Sequence, residues 1–172
     1  MATNKRIALI IAFQGFRDEE YTGPKQVIEA AGIEVTTVST QSGTATGKFG
    51  LPAKVDLLLN DLIIADYEAV VFIGGPGSYA LRDNPTAHKI ARETVKQGKI
   101  LAAICAAPGI LANAGVVKGK NITMFSDDGS AARGGANYTG KGVEVDGNII
   151  TATGPETAKA FGQSIVRVVI NR

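Results

Sequence analysis

The chain has 172 residues, which fits one domain and suffices to bury a core without disulfide or metal staples. Its 18 basic and 16 acidic residues leave a scattered net charge of +2, which excludes the basic stripe of a nucleic-acid binder and any polybasic or acidic tail. The single cysteine, Cys105, and the single histidine, His88, exclude an intrachain disulfide, a cysteine-rich zinc site and most histidine metal sites.

Residues 6–13 read RIALIIAF, a short isoleucine-rich run expected to form a central parallel strand buried on both faces. No small-residue cleavage site follows it, and no run approaches 18 apolar residues. A cytoplasmic protein without a membrane partner is therefore expected, and the free thiol suits a reducing compartment. Residues 20–31 place Val27, Ile28 and Ala31 at helical spacing, with Gly32 as the stop. Residues 33–39 (IEVTTVS) return to a strand. Residues 40–49 read as a loop or hairpin, and residues 55–64 fit either a short strand or a helical turn.

Residues 69–73 (AVVFI) form a second buried strand, followed at once by Gly74-Gly75-Pro76-Gly77. Asn84-Pro85 starts a helix that runs to about Gln97, with Ile90 and Val95 on its apolar side. Residues 99–104 (KILAAI) are a third buried strand ending at Cys105, and Pro108 opens a short helix. Residues 121–125 suggest a further strand, and 126–142 a polar, glycine-rich functional loop. Asp146-Gly147 turns a hairpin, and residues 155–170 close the chain with a helix. The order predicts a single-domain (1–172), three-layer αβα sandwich around a mostly parallel sheet.

In such sheets the site lies beyond the C-terminal strand ends. Three segments fall there: residues 13–20, Gly74 to Gly77, and Cys105 with its flanks. Cys105 is followed by Ala106 and Ala107, the small residues that a cramped nucleophile elbow needs. The helix start beyond it is expected to lower the thiol pKa. An inert, buried cysteine is the plainer alternative. The Gly74-Gly75 N–H groups offer an oxyanion hole, or simply a tight turn. Asp18, Glu19 and Glu20 cluster after the first strand; one of them serves the thiol, or all three complement the helix N-terminus. Asp127 and Asp128 belong to a loop surface or to the site rim. His88 is expected on the polar side of its helix, away from catalysis.

Five motifs are similar to those of one family. EYTGP at 20–24, IGGPG at 73–77, AICAAP at 103–108, RGGANY at 133–138 and VEVDGNIITATGP at 143–155 resemble the ThiJ/PfpI superfamily. That superfamily includes the human parkinsonism-associated deglycase and bacterial stress proteins. The resemblance spans nearly the whole chain and implies a flavodoxin-like fold, commonly a homodimer. It implies Cys105 as the elbow nucleophile and Glu20, four residues before Pro24, as its carboxyl partner. Gly74, Gly75 and Ala106 match the oxyanion side. Asn137 stands where the branch around the human protein has a histidine, and joins the substrate-binding candidates. Peptidase members follow the cysteine with histidine; here Ala106 follows.

These residues suggest attack of Cys105 on a small carbonyl compound, with Glu20 relaying protons and no metal or organic cofactor. Such chemistry is of the glyoxalase III or deglycase kind. The alternatives are a redox-responsive stress sensor or holdase acting through Cys105 oxidation, a cysteine peptidase, and an interaction protein with an inert thiol.

Overall fold

A computed structural model describes residues 3–172. Met1 and Ala2, where the segment examined for a signal begins, lie outside the described residues. In chain order the elements are β1 (Arg6–Ile10), β2 (Gln14–Phe16), α1 (Asp18–Ala30), β3 (Glu34–Ser39), β4 (Gly43–Gly47), β5 (Pro52–Val55), β6 (Leu57–Leu58) and β7 (Ala69–Phe72). There follow α2 (Pro85–Lys96), β8 (Ile100–Ile104), α3 (Pro108–Ala114), β9 (Asn121–Ile122), α4 (Ser130–Arg133), β10 (Asn137–Tyr138), β11 (Val143–Asp146), β12 (Ile149–Ala152) and α5 (Ala158–Ile170).

The main sheet has seven strands in the order β11-β12-β8-β7-β1-β3-β6. All neighbours are parallel except β11 and β12. The central strands are covered on both sides, which is why they read as unbroken apolar runs rather than alternating ones. Successive side chains of β1 serve opposite layers, as the pleat requires. Ile7 and Leu9 join Ile28 of α1 and Phe161 and Ile165 of α5. Ala8 and Ile10 join Ile90 of α2 and Ile110 of α3. The fold is the flavodoxin-like αβα sandwich.

Helices α1 and α5 pack closely. A Cβ on Gly162 would lie 2.8 Å from the Pro24 Cα, so the two backbones touch there. Pro24 sits inside α1 and has no N–H to give the Glu20 carbonyl. The helix is thus least tied at the turn that carries Glu20.

The departures from expectation lie outside the central strands. Residues 40–49 do enter a hairpin, but its second arm is β5, and β2 pairs with β4 to complete a three-stranded sheet. Residues 55–64 split between β6 and a 3-10 turn at Leu59–Asp61. Val95, expected in the core, is 41% exposed, because α2 buries Ala87, Ile90, Ala91 and Thr94 instead. Only Asn121 and Ile122 of the expected 121–125 strand pair, and the 126–142 stretch holds α4 and β10. No described helix is long and apolar enough to cross a membrane.

The Asn84 carboxamide accepts the Thr86 and Ala87 N–H groups at 2.9 and 3.0 Å and so caps α2. Asn84→Ala should cost about 1 kcal/mol in urea unfolding with an unchanged m value. No loss would show that the cap carries no stability.

Candidate active site

β8, β7 and β1 are neighbours in the sheet, and their C-terminal ends bring three chain segments together. Cys105 leaves β8 with φ 64°, and it is the one non-glycine residue with positive φ among the described residues. Such a conformation costs about 1–2 kcal/mol for an L-residue, so the surroundings must enforce it. They do so by hydrogen bonds on both sides. The Cys105 N–H donates to the Ala152 carbonyl at 2.9 Å, and the Phe125 N–H donates to the Cys105 carbonyl at 3.0 Å. The Ala107 N–H closes the turn on the Ile104 carbonyl at 3.0 Å.

The Gly74-Gly75 turn lies against this elbow. A Cβ on Gly74 would stand 2.5 Å from both Glu20 Oε1 and the Ile104 carbonyl oxygen, and 2.7 Å from Cys105 Cβ. Gly75 has φ 107° and presses on the backbone of Gly15, Phe16 and Arg17. The Arg17 N–H donates to the Gly74 carbonyl at 2.9 Å, which ties the start of α1 to the turn. Glu20, cysteine and turn thus meet at a place where only glycine fits.

The three acids that the sequence left undivided have three different positions. Asp18 accepts the Phe49 and Leu51 N–H groups, both at 3.0 Å, and holds the hairpin. Glu19 pairs with Arg17 at 2.6 Å near the surface. Glu20 is 0% exposed and is the one that reaches the thiol's neighbourhood. Neither of its carboxyl oxygens has a partner in strict hydrogen-bond geometry. Burial pushes its pKa up to about 7, against the smaller downward pull of the Cys105 thiol, Arg17 and the Gly74 N–H.

The thiol behaves differently from the sequence expectation of a lowered pKa. Burial first, then the Glu20 charge and its hydrogen bond, push Cys105 up to about 12. The Ala106 and Gly75 N–H groups pull the other way. The helix start beyond Cys105 does not overcome burial and a neighbouring carboxylate. Both contributions from Glu20 act while it is ionised, so a proton on Glu20 relieves the thiol. The pair is therefore suited to exchange one proton. Of the expected oxyanion donors, Ala106 and Gly75 act on the sulfur, whereas the Gly74 N–H acts on Glu20.

Two expected or weighed residues lie elsewhere. Asn137 opens β10 and donates to Asn121 Oδ1 at 2.9 Å. The Asn121 N–H in turn donates to Asp146, at the turn that registers with Leu101 near the start of β8. Asn137 thus sits toward the opposite end of the sheet from Cys105. The His88 ring meets the Arg82 carbonyl at 2.5 Å and makes no pair with the thiol. Asp127 accepts the Gly129 N–H within its own loop, whereas Asp128 pairs with Arg82 at 2.8 Å. Burial works against the Asp128 charge, but Ser130 and Arg82 outweigh it and hold the pKa at about 2.

The sequence reading missed Phe125 and Arg82, which bond to the carbonyls of Cys105 and Ala106. Neither carries a local signal; both are found only by knowing what lies beside β8. A cavity of about 510 Å³ lies between α1 and β5, lined by Tyr21, Lys25, Thr37, Pro52 and Asp56, away from the thiol. Among the described residues no three His, Cys, Asp or Glu side chains cluster as metal ligands do.

The model of the DJ-1/PfpI family matches residues 5–168. The chain belongs to this family. It is 36% identical to an uncharacterized protein of Methanocaldococcus jannaschii over 170 residues, covering 96% of this chain and 83% of the other. It is 32% identical to deglycase PfpI of Pyrococcus furiosus, covering 94% and 98%. The crystal structure of a ThiJ/PfpI domain protein from Brachyspira murdochii superposes with a TM-score of 0.96 at 36% identity, covering 100% and 99% of the two chains.

The raised Glu20 pKa has a consequence for stability. Well below pH 4.5, the carboxyl is protonated in both folded and unfolded chains, and stability is full. Between about 4.5 and 7 the unfolded chain gives up the proton and the folded chain keeps it, so stability falls. The fall should reach about 3 kcal/mol above pH 7. Urea unfolding at several pH values should show it in the wild type and not in Glu20→Gln. Equal pH dependence in both proteins would contradict the burial of an ionisable Glu20.

Proposed function

We propose that this protein converts small reactive carbonyl compounds, in the glyoxalase or deglycase manner, through Cys105 and Glu20. The observation that carries the reading is the left-handed Cys105 set beside a fully buried Glu20. The deglycase relative supports the substrate class. With an α-ketoaldehyde, the thiolate sulfur bonds to the aldehyde carbon, and the carbonyl oxygen takes up negative charge. The N–H groups of Ala106 and Gly75 stabilise it. Protonation gives a hemithioacetal. Glu20 then carries the proton from that carbon to the adjacent one, while the hydroxyl proton on the first carbon passes to the carbonyl oxygen on the second, which yields a 2-hydroxy thioester. Water cleaves the thioester, releasing a hydroxy acid and restoring the thiol. A carboxyl with a pKa of about 7 is able both to give and to accept the proton at neutral pH. Atoms balance with water alone, and no redox partner is required.

Peptide hydrolysis suits this site less. A departing amine must be protonated, the task of histidine in Cys–His sites. Ala106 follows the cysteine, and the His88 ring is engaged with Arg82. We further infer a homodimer, as is common in the family, which sedimentation of the purified chain would test, and a cytoplasmic location.

Purified protein should turn over methylglyoxal or glyoxal without added thiol. Cys105→Ser should abolish this, and Glu20→Gln should lower kcat about a hundredfold or more. Cys105-dependent peptide cleavage faster than any dicarbonyl turnover would overturn the proposal. Absent turnover, with Cys105 oxidised readily by peroxide, would favour the redox sensor.

A further inference from the structure

Arg82 lies just past the 3-10 turn that continues the glycine-rich segment, yet its side chain reaches across to the elbow. Its Nη2 donates to the Ala106 carbonyl at 3.0 Å. Its Nη1 donates to Asp128 Oδ2 at 2.8 Å. The guanidinium also stacks over the Tyr79 ring, 4.6 Å from its centroid. The side chain is only 13% exposed. Gly109 makes the room: a Cβ there would run into the guanidinium. Asp128 is itself held by the Ser130 hydroxyl and N–H, so the far end of the link is anchored.

We propose that Arg82 is a positioning residue, whose guanidinium clamps the Ala106 carbonyl and so holds Cys105 in its left-handed conformation. A strained residue persists only where its neighbours over-determine it. The Cys105 peptide is fastened by Ala152 and Phe125, and the next carbonyl along, that of Ala106, is fastened by Arg82. The Ala106 carbonyl otherwise receives only a longer bond from the Gly109 N–H, at 3.3 Å. Releasing it frees the peptides around Ala106 to turn. The Ala106 N–H then loses its aim at the sulfur. The planar fork of arginine suits this bridge, since one prong binds a carbonyl while the other binds a carboxylate; a lysine ammonium has no such geometry.

The clamp acts on the thiol itself and rests on the carbonyl proposal only for its kinetic readout. Two measurements therefore test it: the pH profile of Cys105 alkylation, and dicarbonyl kinetics. In Arg82→Gln the alkylation midpoint should rise by about half a pH unit or more, because an N–H that favours thiolate is misdirected. Turnover should fall about tenfold in kcat with little change in KM. Arg82→Lys should rescue neither fully. Arg92→Gln is the control, since Arg92 makes the same kind of bond, Nε to the Ala114 carbonyl at 3.0 Å, at the other end of α3. It should affect stability without moving the thiol profile. If Arg82→Gln does not fold, Arg82→Lys and Asp128→Asn carry the same titration. A folded Arg82 variant with the wild-type alkylation profile, or an equal shift in Arg92→Gln, would overturn the clamp. A wild type without dicarbonyl turnover would sink the carbonyl proposal alone, since the titration still decides the clamp.

Discussion

The site depends on one close approach, between the Gly74 backbone and two other parts of the chain. Glu20, Ile104 and Cys105 all crowd the point where a side chain on Gly74 would begin. Removing that one Cβ lets β7 deliver its turn directly against the end of β8. The start of α1 then docks on the same turn through the Arg17 N–H. Two segments about thirty residues apart in sequence, at Gly74 and Cys105, and a third, at Glu20, become one site because their strands are neighbours in a parallel sheet. The sheet supplies the rigidity, and the absent side chain supplies the proximity.

That proximity decides the electrostatics. Two acidic groups share a pocket that burial makes hostile to charge, so they cannot both ionise cheaply. The carboxyl is pushed up to about 7 and the thiol higher, to about 12, while its neighbour is charged. Arg17 tempers this from the rim, where it is paired with Glu19 and stacked on Phe49, 4.9 Å from the ring centroid. The strained elbow and the buried carboxyl both cost stability. The wide apolar layers on either face of the sheet offset that cost.

The N-terminal turn of α1 shows how adjacent residues of one chemical type take unlike roles. Consecutive helical positions point about 100° apart. Asp18 therefore meets the hairpin loop, Glu19 meets Arg17 near the surface, and Glu20 meets the thiol. Pro24 leaves the Glu20 carbonyl without its helical partner. The sequence mark of this site, a glutamate four residues before a proline, coincides with a local release of the helix ladder.

The sequence by itself determined the central strands, because a strand buried on both faces must be an unbroken apolar run, as RIALIIAF, AVVFI and KILAAI are. It also determined which elements alternate, and hence the sandwich and the strand ends where Cys105 and the glycine turn meet. It marked Glu20 among three acids only through the family's motif, since composition treats Asp18, Glu19 and Glu20 alike. Tertiary structure decided the rest. The direction of the thiol pKa depends on burial and on a carboxylate from the first turn of α1, neither visible in the residues around Cys105. Asn137 matched a motif position, yet the pairing of β10 with β9 carries it away from the elbow. Arg82 and Phe125 looked like an ordinary loop residue and a strand end. They matter because of which carbonyl each one meets, and contacts over such sequence distances are set by packing rather than by local pattern.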